Sequence, residues 1–174
     1  LITRSAKINA ELHANQLNVI TGANDVKVAD LAVSQRVASE DKPQLAIDSS
    51  ALGGMYAGAI RLVGTEQGVG VKLAGNMAAS AGDIQIDASG KLSMAQTAAS
   101  RNVRIAAESV EMNAKVYAGK SVSAQVTGAL TNKQSLAASS DVSLQAGEVV
   151  NQGVIEAGVN TDNSRNGVGD VVID

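Results

Sequence analysis

Apolar and polar residues alternate along this chain in short runs, and the runs recur. The clearest is Gly82-Asp83-Ile84-Gln85-Ile86-Asp87, closed by Ala88-Ser89-Gly90. Its pattern returns as Val103-Arg104-Ile105, Val122-Ser123-Ala124, Val142-Ser143-Leu144 and Val171-Val172-Ile173. The opening apolar residues stand at 84, 103, 122, 142 and 171, in steps of 19, 19, 20 and 29. Alternation over four or five residues is the period of a half-buried strand. Recurrence at a fixed step near twenty marks a repeat architecture.

Each repeat contains further runs. Leu92 to Met94 follows the first; Val110 to Met112 and Val116-Tyr117 follow the second. Leu130 and Leu136 follow the third, and Val149-Val150 and Val154-Ile155 the fourth. Gly, Asn, Ser, Ala and Lys separate them, as tight turns require. Three short strands in about twenty residues suit one rung of a parallel β-helix better than a stack of hairpins. Each strand then pairs with its equivalent one repeat later, and inward side chains stack in columns. Asn113, Asn132 and Asn151 are spaced by 19 and predict a structural ladder at one turn, bonding from rung to rung. The chain is long enough for eight or nine such rungs.

Upstream of Gly82 the pattern is less regular. Residues 1–33 read as rungs, with Ile8, Leu12, Leu17, Val19, Val26, Val28 and Val33 apolar and a turn at Thr21 to Asp25. Residues 34–81 read as irregular rungs with a polar loop near 39–43, because Pro43 has no N–H for a ladder. Residues 82–174 are the regular repeats, and the last, longer step predicts a loop near 160–167, where Asn160 to Gly167 holds no apolar residue.

Composition narrows the chemistry. Phe, Trp and Cys are absent, and Tyr56 and Tyr117 are the only aromatics. A narrow coil filled by stacked aliphatics needs no bulkier side chains. Without Cys there is no disulfide, thiol nucleophile or Cys-ligated zinc. A net charge of −3 gives no electrostatic case for nucleic acid, and no apolar run is long enough for a membrane span. His13 is the only His and reads as a surface residue. Asp83, Asp141 and Asp170 precede strand starts and read as turn initiators rather than Ca²⁺ ligands. Gly68-Val69-Gly70 and Gly167-Val168-Gly169 lack the helix and Lys of a phosphate loop. The reading predicts no catalytic residue, cofactor or metal site. The absence of an initial Met and of a signal sequence, and an end in mid-pattern, read as a piece of a longer protein.

Two blocks carry a family resemblance. One runs from Ser5-Ala6-Lys7-Ile8-Asn9-Ala10-Glu11-Leu12-His13-Ala14 to Thr21-Gly22. The other is Leu52-Gly53-Gly54-Met55-Tyr56-Ala57, continuing through Ile60-Arg61-Leu62-Val63-Gly64-Thr65-Glu66 to Val71. The chain resembles the filamentous-haemagglutinin family of two-partner secretion exoproteins, which includes the contact-dependent growth-inhibition toxins. The resemblance implies a right-handed β-helix on a Gram-negative surface, secreted through a dedicated outer-membrane β-barrel transporter. It implies that residues 1–33 are the last rungs of a secretion domain and the remainder the start of the shaft. A target-cell surface receptor is a further partner it allows.

Three functions follow as expectations. The first is a structural shaft segment that presents binding or toxin regions to target cells, without enzymatic activity. The alternative is a β-helical polysaccharide-degrading enzyme, since fold by itself does not separate the two; it would need acids, bases and aromatic platforms converging on one face. A third places cell binding on the two loops, near 39–43 and 160–167, because loops on rigid scaffolds often carry recognition.

Overall fold

In a computed structural model, described for residues 1–37 and 42–174, the chain is all-β and coils as a parallel β-solenoid. Among the described residues the coil makes about eight turns, with about twenty residues per turn. The polar loop expected near 39–43 lies largely outside the described residues; of it, Lys42 donates from Nζ to the Gln67 carbonyl at 2.9 Å.

Three faces wrap the coil. In the regular repeats, one long strand per rung bends to supply the first two: Ile84–Met94, Val103–Met112, Val122–Asn132 and Val142–Asn151. Short strands supply the third: Met77–Ala79, Thr97–Ala99, Val116–Ala118, Ser135–Ala138 and Val154–Glu156. Every pairing within this sheet is parallel, and Ile84, Val103, Val122, Val142 and Val171 stand in one column of face 1. The bend between faces 1 and 2 carries a register shift in each of three successive strand pairs. These bulges re-aim the strand without ending it.

The irregular upstream segment joins the same coil. Leu12–Thr21 pairs along its length with Met55–Gly64, which then pairs with Ile84–Met94 on face 1 and Met77–Ala79 on face 3. Ala6–Ile8, Leu45–Ser49 and Gly70–Leu73 continue face 2. Leu52-Gly53-Gly54-Met55-Tyr56, the least repetitive stretch in sequence, therefore runs into a regular face 3 strand, and Met55 is fully buried.

Residues 22–36 depart from the reading of residues 1–33 as rungs. Asn24–Val26 and Val33–Gln35 pair antiparallel as a separate hairpin, and Val28 at its tip is 90% exposed. Hairpin strands and rung strands share the same two-residue period, so alternation at Val26, Val28 and Val33 does not distinguish them. Gly22 makes the exit with φ of +115°, and a side chain there would collide with Thr65 Oγ1.

The core is a set of axial columns. Val19, Leu62, Ile86, Ile105, Ala124 and Leu144 line face 1; Ile47, Val71, Leu92, Val110 and Leu130 line face 2. Face 3 contributes the small column Ala57, Ala79, Ala99, Ala118 and Ala138. Alanine there leaves room for the Ile, Leu and Met columns opposite, which is how the interior fills without an aromatic ring.

Candidate functional site

The three asparagines expected as one ladder divide. Asn132 and Asn151 are register partners, and Asn132 Nδ2 donates to Asn151 Oδ1 at 2.9 Å. The register partner of Asn132 on the preceding rung is Met112, not Asn113. The bend between faces 1 and 2 holds one more residue in Val122–Asn132 than in Val103–Met112, since Ala107 to Val110 aligns with Val126 to Leu130. That insertion turns equal sequence spacing into unequal register. Asn113 instead points outward, donating to Ser93 Oγ at 3.0 Å and accepting from Lys133 Nζ at 2.9 Å.

Asn132 thus occupies an inward column that runs Ile8, Ser49, Leu73, Met94 and Met112 before it. It is fully buried, and its Nδ2 also donates to the Gln134 carbonyl at 2.9 Å and the Val154 carbonyl at 3.3 Å. It caps the turn between faces 2 and 3 from inside the coil.

A second polar ladder forms where the chain enters face 1. Asp83 Oδ1 accepts from the Asn102 backbone N–H at 3.0 Å and from Asn102 Nδ2 at 2.9 Å. Asn102 Oδ1 accepts from Ser121 N–H at 3.4 Å, and Asp141 Oδ1 accepts from Asp170 N–H at 3.1 Å. Asp83 and Asp141 therefore bond to the next rung's backbone at its turn. Burial raises the Asp83 carboxyl's pKa, but the bonds from Asn102 and Arg104 outweigh it and hold it below the ordinary value. On face 2, Lys91 and Lys133 flank Glu111 from the rungs on either side, and their hydrogen bonds lower its pKa.

Two excursions leave the coil. At the hairpin, the chain departs between faces 1 and 2, where neighbouring rungs make an ordinary bend. Arg4 on one side and Glu66 on the other meet across that gap, Nη2 to Oε1 at 3.1 Å, with Glu66 only 2% exposed. Arg61 Nη1 donates to the Leu31 carbonyl at 3.3 Å, tying the hairpin tip to face 1. Nothing in the periodicity announces the Arg4–Glu66 pair, whose members are 62 residues apart. The second excursion spans 157–170, between faces 3 and 1. A bridge joins Val159 to Arg165, and Asn166 Nδ2 donates to the Ser139 carbonyl at 2.8 Å.

Elsewhere the exterior is shallow. A groove of about 920 Å³ follows the bend between faces 1 and 2, with Asp87, Glu108, Gln125, Thr127 and Gln145 along it. Among the described residues, no three His, Cys, Asp or Glu side chains gather at metal-binding distance. Among the described residues no helix is long and apolar enough to cross a membrane.

The TPS secretion domain model matches residues 1–94, more than half of the chain. The chain belongs to the two-partner secretion family. The haemagglutinin repeat model matches residues 98–172, so the two matches together span nearly the whole coil. The match to the secretion domain extends well past residue 33, through the rungs that the sequence pattern leaves irregular. Relatives carry the same ancestry. The chain is 39% identical over 156 residues to the tRNA nuclease CdiA of Yersinia mollaretii, covering 78% of this chain and 5% of that protein. It is 42% identical over 134 residues to the 16S rRNA endonuclease CdiA of Enterobacter cloacae, covering 77% and 4%. It is 53% identical over 93 residues to Toxin CdiA of Yersinia pestis, covering 53% and 3%. The chain spans about a twentieth or less of the length of these curated relatives. No solved structure matches.

Two-partner secretion proteins are exported and displayed on the outer cell surface, and an outer-membrane transporter is their defining partner. The coil described above is therefore an extracellular one. Its ladders of side-chain and backbone bonds hold it together without disulfides.

Proposed function

We propose that these residues form the continuous base of a long secreted filament, a structural segment joining the secretion domain to the shaft. The filament is of the contact-dependent growth-inhibition type, and it holds binding or toxin regions away from the producing cell. The segment itself performs no catalysis; the nuclease activities in the relatives' names belong to other parts of those much longer chains. The parent crosses the outer membrane through a β-barrel transporter and meets a receptor on the target cell. Within the segment, the regular shaft begins near residue 82.

The observation that supports this reading is continuous parallel pairing. The same three faces stack through residues 84–112, across the junction between the two family matches, without a change of face, and the bulge at the bend between faces 1 and 2 recurs in the rungs that follow. A polysaccharide-degrading enzyme on this fold would need acids and bases converging over one rung. Asp83, Glu111 and Asp141 are instead tied to neighbouring rungs.

The test is deletion by whole and by fractional rungs in the full-length secreted parent. Removing residues 103–121, one complete rung, is expected to leave secretion, surface display and target-cell inhibition within about twofold, because each rung contacts only its neighbours. Removing 103–112, two of the three faces, breaks the register of everything downstream and is expected to abolish display. Loss of target-cell inhibition with display intact after the whole-rung deletion would instead give the segment a specific activity.

A further inference from the structure

The chain has two Tyr, one His, and no Phe or Trp. None of these rings packs in the core. All three lie in one outward column of face 3, which runs His13, Tyr56, Ala78, Ala98, Tyr117, Ala137 from rung to rung. A core filled by aliphatics has no need of aromatics, so their collection on one exterior line calls for its own account.

Tyr117 has a structural role: its hydroxyl donates to the Val159 carbonyl at 3.1 Å and anchors the base of the 157–170 excursion. Tyr56 has no such bond among the described residues. Its ring stacks on His13, with centroids 5.2 Å apart and planes 19° from parallel. That separation is close to the strand spacing of about 4.8 Å, so the two rings stack along the coil axis. His13 covers one face of Tyr56. The other face looks toward the next rung, where the column holds Ala78, whose methyl is too short to cover it. Gly54 gives the ring its seat, since a Cβ there would come 2.8 Å from Tyr56 Cε2.

Beside the ring lies a shallow depression of about 970 Å³, bordered by His13, Asn15, Tyr56, Gly58, Ala78 and Ser80. It combines an open aromatic face, a floor of methyls, and a rim of amide and hydroxyl groups. The one carboxylate nearby, on Glu11, is hydrogen-bonded to His13 Nε2 at 3.0 Å. No Lys or Arg borders the depression, so the surface offers no cation to an anionic ligand. A flat apolar face edged by hydrogen-bonding groups is complementary to a pyranose ring, which has C–H bonds on its faces and hydroxyls at its edge. We propose that the Tyr56–His13 depression on face 3 is a binding site for a neutral glycan. One sugar ring stacks on the open face of Tyr56, with Asn15 and Ser80 at its hydroxyls. The chain continues over Ala78 and Ala98, a strip clear of large side chains until Tyr117, about 14 Å from Tyr56 at the strand spacing.

The test uses the whole 174-residue protein and three neutral tetrasaccharides, of β1,4-linked glucose, α1,4-linked glucose and β1,4-linked N-acetylglucosamine. Saturation-transfer NMR reads ring contact and calorimetry reads affinity. At least one tetramer is expected to bind saturably, with transfer to its C–H protons. Tyr56→Ala should weaken that binding about tenfold, the scale of one aromatic contact. Ala78→Met should weaken it similarly by covering the open ring face while leaving Tyr56 in place, and Tyr117→Phe should leave it unchanged. Because Ala78 faces outward, its replacement remains decisive even if Tyr56→Ala disturbs folding. No saturable binding of any tetramer up to about 10 mM, the edge of measurable affinity, would overturn the proposal. So would binding undiminished by both substitutions. If the wild-type chain ignores all three sugars while Tyr56→Ala lowers its capture by the purified transporter, the column is a protein-recognition surface and the glycan assignment fails.

Discussion

At the scale of single residues, the solenoid depends on a few polar groups that close its turns from within. Asn132 donates to the Gln134 turn carbonyl, to the carbonyl of Val154 at the start of a face 3 strand, and to Asn151, from a position that is fully buried. Asn132→Ala strips those acceptors of a donor and leaves a small void. The expected loss is about 1–3 kcal/mol, the scale of an unsatisfied buried group. Asn132→Asp should cost more, because a carboxylate would face the same carbonyl oxygens. Asn151→Ala, on an exposed residue, should cost under about 1 kcal/mol. Urea titrations of the three variants check the order, and equal losses at 132 and 151 would show that the buried end does not dominate. The Arg4–Glu66 pair makes a second residue-scale prediction. Glu66 is buried while the Arg4 side chain is 43% exposed, so solvent screens part of the attraction. Glu66→Ala is expected to destabilise by about 2–3 kcal/mol, below the range for fully buried pairs, with Glu66→Gln recovering part of it through retained hydrogen bonds.

At the scale of strands and ladders, charge ties neighbouring rungs together, and its effect has a definite sign with pH. Asp83 and Glu111 both have carboxyls held below their ordinary values in the folded coil. Their contribution is fully present above the unfolded-state values, near about pH 4. It fades as pH falls through the lower folded-state values, because the unfolded chain takes up those protons first. Denaturation midpoints should therefore drop between about pH 4.5 and 3, and the double variant Asp83→Asn, Glu111→Gln should show a shallower drop from a lower starting point. An unchanged slope in that variant would assign the acid sensitivity elsewhere. Elements are also where sequence and structure agree most closely. Ile84, Val103, Val122 and Val142 advertise their strand by alternation and their neighbours by the step between them, so face 1 was legible from spacing. The third face was harder to read at Thr97–Ala99, because Thr-Ala-Ala carries almost no hydropathy contrast. The Asn113 register was misjudged because a single residue added at a bulge is invisible to a count that stays at 19. The hairpin at 24–35 was hidden because its alternation matches that of a rung. The Tyr56–His13 stack was out of reach too: the two residues lie 43 positions apart, and the intervening excursion breaks the repeat that would have aligned them.

At the scale of the whole molecule, order should vary with position along the axis. The long strands between Ile84 and Asn132 pair on both sides over two faces, whereas the hairpin is a separate two-stranded sheet held by Arg61, Asn24 and a few neighbours. Isolated two-stranded hairpins are marginally stable in water, and repeat arrays open in units set by nearest-neighbour contacts rather than all at once. Amide hydrogen exchange should therefore be slowest at the inward positions of Val103–Met112 and Val122–Asn132, which have a paired strand above and below. It should be orders of magnitude faster in Asn24–Gln35 and in 157–170. Excising residues 23–36, with two glycines to close the gap, should leave protection in Val103–Asn132 within about threefold, because no bond described for the hairpin reaches those rungs. A uniform collapse of protection after the excision would mean that the coil folds as a single cooperative body with the hairpin as part of its nucleus. Retained protection would mean that length is gained rung by rung, each addition stabilised by the one before it. That is the behaviour a filament needs if it is to fold progressively as it leaves a transporter.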